Sequence, residues 1–124
     1  YLEHFWNQWS GPDFQIATSA LEHLTTAYAR PGAFTSAIAW YRAGPGMVAS
    51  ALAETPPAPS KRVPIPTSAL WPEHDPIFPR AWSDRLGEFF SDVHLVHADG
   101  VGHFTPVEAP NRFAELISHA AAAT

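Results

Sequence analysis

Hydrophobic residues follow a helical period in the first half of this chain and an extended period in parts of the second. Leu2, Phe5 and Trp9 share one helical face within a stretch that also holds Tyr1, Trp6 and Phe14. Ser19-Ala20-Leu21-Glu22 has the form of a capping box, in which hydroxyl and carboxylate satisfy free amides of a first helical turn. Leu21, Leu24 and Tyr28 then fall on one face, and Arg30-Pro31-Gly32 stops the helix. The spacing of Phe34, Ile38 and Tyr41 predicts a further helix over residues 33–43, closed by Gly44-Pro45-Gly46, with one or two turns more over residues 47–52.

Residues 54–66 break the pattern, since Pro56, Pro57, Pro59, Pro64 and Pro66 neither donate to a ladder nor sit inside helices. Beyond them, residues 67–71 form a short apolar run suited to a buried strand. Trp82, Leu86, Phe89 and Phe90 are spaced i, i+4, i+7, i+8, which predicts an amphipathic helix over residues 80–90. Residues 93–98 predict a second strand. Pro110 near a first turn, with a stripe of Phe113, Leu116, Ile117 and Ala120, predicts a closing helix that frays at the final alanines. The order β-loop-α-β-loop-α points to two crossover units of a parallel sheet and to the α/β class. The chain divides accordingly into residues 1–53, a proline-rich connection over 54–66, and residues 67–124.

Composition narrows what such a chain can bind. At 124 residues, 46% hydrophobic and 15% charged, it is long enough for a modest core and is not of disordered type. A net charge of -5, with only Lys61 and Arg62 adjacent among seven basic residues, argues against nucleic-acid and anionic-membrane surfaces. The lack of cysteine removes disulfides and thiolate metal sites. No apolar run spans a bilayer and no signal-peptide pattern opens the chain, so a cytoplasmic setting is expected. The first residue, Tyr1, falls inside an aromatic pattern, which suggests a cut.

Candidate chemistry sits where both predicted strands end. Asp75 follows the first strand in Pro72-Glu73-His74-Asp75-Pro76, and His103 follows the second behind Gly100 and Gly102. Adjacent parallel strands would bring both residues to one sheet edge, where ligands bind. A carboxylate on one imidazole nitrogen fixes the tautomer and steadies the imidazolium, leaving the other nitrogen to activate water or a nucleophile. Alone, Asp75 reads as a turn aspartate and His103 as a loop histidine. At matching positions they read better as a catalytic pair.

Leu70-Trp71-Pro72-Glu73-His74-Asp75-Pro76 resembles the acid-bearing segment of the α/β-hydrolase superfamily, in its epoxide hydrolase and haloalkane or haloacetate dehalogenase branch. Asp99-Gly100-Val101-Gly102-His103-Phe104 resembles that branch's histidine segment, with Glu108-Ala109-Pro110 opening the last helix. Pro72 stands where such proteins commonly carry glycine. The resemblance implies the C-terminal part of an α/β-hydrolase fold, with residues 1–53 as the end of a helical lid. It makes Asp75 and His103 the acid and base of a triad. Trp40-Tyr41-Arg42 resembles the family's lid Tyr-Arg segment, which implies Tyr41 as proton donor to an epoxide oxygen; packing is its competing role. Phe5, Trp6, Trp9, Trp40 and Phe104 are then candidate walls of an apolar substrate site. No cofactor is implied.

The family's nucleophile elbow, Gly-x-[Ser/Asp]-x-Gly, does not occur in these residues. The expected nucleophile therefore lies elsewhere, and the isolated chain is expected not to turn over. An aspartate nucleophile would mean an epoxide or organic halide as substrate; a serine would mean an ester. Two strands alone would leave an unpaired edge, which keeps self-association open. A metal site is disfavoured, because His94 and His97 face opposite sides of a strand and no His-Glu-x-x-His is present. His74, His97, Asp99 and His119 read as solvated or structural, and Glu108 as a carboxylate at the positive end of the last helix. A module that holds an apolar ligand or partner without chemistry is the alternative of another class.

Overall fold

The structure, a computed structural model, describes residues 1–122 apart from the side chains of Trp40, Ala43, Pro45, Met47 and Val48. The described helices are α1 (Leu2–Trp9), α2 (Thr18–Tyr28), α3 (Ala33–Ala43), α4 (Pro45–Ala53), α5 (Leu86–Phe89), α6 (Thr105–Glu108) and α7 (Pro110–Ala122); the strands are β1 (Thr67–Pro72) and β2 (Val93–Ala98). Contacts divide the chain into a helical unit, Tyr1–Glu3 with Ile16–Thr55, and a sheet-containing unit, His4–Gln15 with Pro56–Thr124. The division runs through α1 and draws the first aromatic stretch mostly into the second unit.

In the helical unit, α2 starts two residues earlier than the sequence predicts, with Ala17 rather than Ser19 at its N-cap. Ala17 is extended (ψ 137°), and its carbonyl accepts from the amides of Ala20 and Leu21, both at 3.0 Å. Ser19 therefore lies inside the first turn and caps nothing through its side chain. Gly32, at φ 80°, makes the reversal between α2 and α3, a conformation that a Cβ disfavours. The Tyr1 ring meets Phe34 edge-on at 5.0 Å. No described side chain of this unit is buried.

In the second unit β1 and β2 pair in parallel, with Thr67 opposite Val93 and Pro72 opposite Ala98. The amides of Thr67 and Glu73 donate to Asp92 and Ala98, so odd-numbered positions of β1 face β2. Pro72 faces away, and its missing N–H removes no bond between these strands. Of the buried residues of this unit, Gly11, Pro72, Asp75, Ala98, Val101, Gly102 and Thr105 cluster where the strands end, while Ser83 lies in the segment between the strands.

Residues 80–90 do not form the single amphipathic helix that their spacing predicts. Behind Pro79 the backbone takes a 3-10 helix over Arg80–Arg85, tightened by Trp82 N–H on the Pro79 carbonyl (2.9 Å) and the Ser83 hydroxyl on the Arg80 carbonyl (2.8 Å). Only one α-turn follows, and Phe90 then pairs with Val63. At three residues per turn the i, i+4 stripe does not hold, and Trp82 is left 61% exposed.

The fold-class expectation, α/β as the C-terminal part of an α/β-hydrolase fold, is corrected by this architecture. More than half of the described residues are helical, 3-10 segments included, and the described sheet has two strands. Parallel sheets of the α/β class carry helices on both faces and bury their strands from both sides. Here β1 and β2 are mostly half-buried, and the connection between them lacks a full crossover helix. The periodicity identified the individual strands, but two strands do not make the layered sheet that defines the class.

Candidate active site

Two loops leave the carboxyl ends of β1 and β2 and are tied together by backbone bonds. Glu73 N–H donates to the Ala98 carbonyl (3.1 Å) and His74 N–H to that of Val101 (2.9 Å), while the Glu73 carboxylate accepts from Gly100 N–H (2.8 Å). Gly100 turns at φ 75°. This lacing brings the two sequence-predicted residues into contact, with His103 Nδ1 2.9 Å from Asp75 Oδ2.

An ionised carboxylate only accepts, so Nδ1 carries the proton and Nε2 of the neutral ring is the basic nitrogen. Asp75's side chain is 5% exposed and that of His103 27%, so water reaches the base far more readily than its partner. The other Asp75 oxygen, Oδ1, accepts from Ile77 N–H (2.8 Å) and Phe78 N–H (3.0 Å). Asp75 is thus a turn aspartate and the histidine's partner together; the two roles use different oxygens.

Trp71 Nε1 donates to the Phe78 carbonyl (3.1 Å), which ties down the same loop, and the Phe78 ring lies nearly parallel to His103 at 6.3 Å. Trp9 meets His103 edge-on at 5.2 Å. A cavity of about 290 Å³ opens beside the pair, with Leu70, Trp71, Phe78 and Pro106 in its walls. That volume suits a small ligand.

The remaining candidates fall in different places. Trp6 stacks on Phe104 at 3.9 Å, Phe5 meets Trp9 edge-on at 4.2 Å, and Trp6 lies 6.2 Å from Phe14. These rings form an aromatic cluster that reaches His103 through Trp9 and Phe104. Asp75, His103, Phe5, Trp6, Trp9 and Phe104 all belong to the second unit; Tyr41 belongs to the helical unit, 63% exposed on α3. The Trp40 side chain lies outside the described residues.

Sequence patterning gave Glu108 only a place at a helix start, whereas its carboxylate accepts from Gly11, Gly102 and Phe104 amides. Phe78 and Trp71 were also missed as walls. For Phe78 a signal was present, because an aspartate commonly binds amides two and three residues on. For Gly11 there was none, since its partner is 97 residues away.

Of the other histidines, His97 Nε2 lies 3.1 Å from Ser83 Oγ, and the His94 ring is 4.8 Å from that of His119. Among the described residues no three His, Cys, Asp or Glu side chains are grouped to hold a metal ion, and no helix is long and apolar enough to cross a membrane. No protein-family model matches this sequence, and no curated protein matches it.

Proposed function

We propose that this chain supplies the base and its orienting acid to a hydrolase of the epoxide hydrolase kind, acting on a small apolar epoxide. The observation that carries this is the contact between Asp75 Oδ2 and His103 Nδ1, with the aspartate buried and the histidine open to water. The adjoining cavity and its apolar walls support a small uncharged substrate. The nucleophile in this proposal is a carboxylate on a segment beyond these residues, and no cofactor takes part.

In the first step the carboxylate attacks an epoxide carbon, the carbon–oxygen bond breaks, and the freed oxygen takes a proton from a general acid. A hydroxyalkyl ester results. In the second step Nε2 of His103 takes a proton from water as that water attacks the ester carbonyl, and Asp75 stabilises the imidazolium. The departing alkoxide takes the proton from His103 to complete the diol, and the second water proton, left on the carboxyl group, returns to the acid of the first step, which restores the carboxylate. Halide or ester hydrolysis would use the same base with another leaving group or a serine nucleophile.

The test is turnover by the polypeptide encoded by the complete reading frame containing these residues, with styrene oxide, a haloacetate and a p-nitrophenyl ester offered separately. The proposal expects styrene oxide hydrolysis that falls on the order of 10³–10⁴-fold in His103→Gln, the scale seen when triad geometry fails. Hydrolysis undiminished by that substitution would overturn it. Turnover of the haloacetate or ester alone would transfer the base to those chemistries.

A further inference from the structure

We infer that Glu108 is the positioning residue of His103, holding the histidine loop in register with Asp75 through three backbone amides; this rests on the reading of His103 as a catalytic base. Its Oε2 accepts from Gly11 N–H and Gly102 N–H, both at 2.7 Å, and its Oε1 from Phe104 N–H at 2.9 Å. Residues 102 and 104 flank the histidine, so one carboxylate fixes the amides on both sides of it. The amide between them, His103 N–H, donates to the Trp9 carbonyl at 2.7 Å. Three consecutive amides of the loop are thereby anchored to Glu108 and to the segment that Glu108 itself holds.

The surrounding backbone fits this clasp and little else. A Cβ on Gly11 would stand 2.0 Å from the Gly100 carbonyl oxygen, and one on Gly102 would stand 2.3 Å from the Trp9 carbonyl oxygen. The two chain segments therefore meet backbone to backbone, closely enough for one carboxylate to bridge them. The Thr105 hydroxyl, donating to the Gly102 carbonyl (3.0 Å), holds the loop from the following turn. Bonds from N–H to an ionised oxygen are stronger than neutral ones and more demanding in direction. The Nδ1 contact to Asp75, at 2.9 Å, would be lost by a loop shift of about 1 Å, because hydrogen bonds do not survive much beyond 3.5 Å.

Glu108→Gln in the full chain tests this. Gln keeps one accepting oxygen, so in either orientation of its amide at least one of the three N–H donors faces an NH₂ group instead of an acceptor. The readouts are the low-field proton resonance of His103 Nδ1–H and the exchange rates of the Gly11, Gly102 and Phe104 amides. The expected result is loss of that resonance and exchange faster by on the order of tenfold at the amides, with the circular dichroism of the fold retained. A folded variant whose Nδ1–H resonance is unchanged would overturn the inference, because a purely structural clasp leaves it in place.

Should Glu108→Gln fail to fold, the wild-type chain supplies the decision. One carboxylate holding three amides requires them to exchange together, through one opening that also releases Nδ1–H. Unrelated rates contradict it. Neither readout needs turnover, so a chain that hydrolyses nothing can still pass. Conversely, an unchanged resonance would remove the role of Glu108 and leave the catalytic pair standing.

Discussion

Asp75 divides its two oxygens between the turn and the histidine, and that division can be tested by one atom's change. In Asp75→Asn the side-chain oxygen can still accept from Ile77 and Phe78 amides, so the turn and the fold should persist. The new NH₂ group, facing His103 Nδ1, would force the opposite tautomer and remove the basic Nε2. Hydrolysis should fall by on the order of 10⁴-fold, with the thermal midpoint little changed; a large loss of stability at near-normal turnover would contradict the division. Asp99 offers a second test at this scale. The hydrogen bond from Arg80, and then that residue's charge, hold the Asp99 carboxyl below the ordinary carboxylate range. A depressed value means that this pair's small contribution is complete above the ordinary range and is lost as pH falls through Asp99's own titration. Carbon-detected titration should show the Asp99 midpoint rising in Arg80→Gln, and an unmoved midpoint would contradict the role of that pair.

Among the elements, the histidine loop is the most tightly specified and the segment between the strands the least. Gly11→Ala or Gly102→Ala would drive a methyl group into backbone and should cost at least about 2 kcal/mol in thermal or denaturant melts. Gly87→Ala is the matched control: nothing lies within 4 Å of its added carbon, and it sits in α5. There alanine should be neutral or stabilising by up to about 1 kcal/mol. Equal effects at the three glycines would contradict the close backbone approach. The contrast also shows what patterning could reach. Thr67–Pro72 and Val93–Ala98 were legible as strands because each is a short apolar run between turn residues. Residues 80–90 were not, because Trp82, Leu86 and Phe89 fit a helical stripe only if the backbone makes 3.6 residues per turn. Pro79 and the Ser83 hydroxyl set three instead. The Asp75–His103 meeting was legible from matching loop positions, whereas the Glu108 clasp depends on Gly11, a contact that spacing cannot encode.

For the whole molecule, the two units differ in how much they bury. The helical unit has no buried described side chain, whereas the second concentrates its buried residues around the strand ends. Regions with little burial open at low free energy, so amides of α2 and α3 should exchange before those of Gly102, His103 and Phe104. The reverse order, by hydrogen exchange, would contradict this division. Fold class was the expectation that failed at this scale. Local period identifies a strand, but the number of strands that pair is a property of the assembled chain, and here the described sheet stops at β1 and β2.

The central claim is that His103 is the base that releases a covalent intermediate, and mass spectrometry of His103→Gln tests it most directly. The variant, made in the complete reading frame and mixed with styrene oxide, should accumulate an adduct heavier than the protein by one substrate molecule, because ester formation does not need the base and ester hydrolysis does. Absence of any adduct, together with undiminished diol formation, would contradict the account.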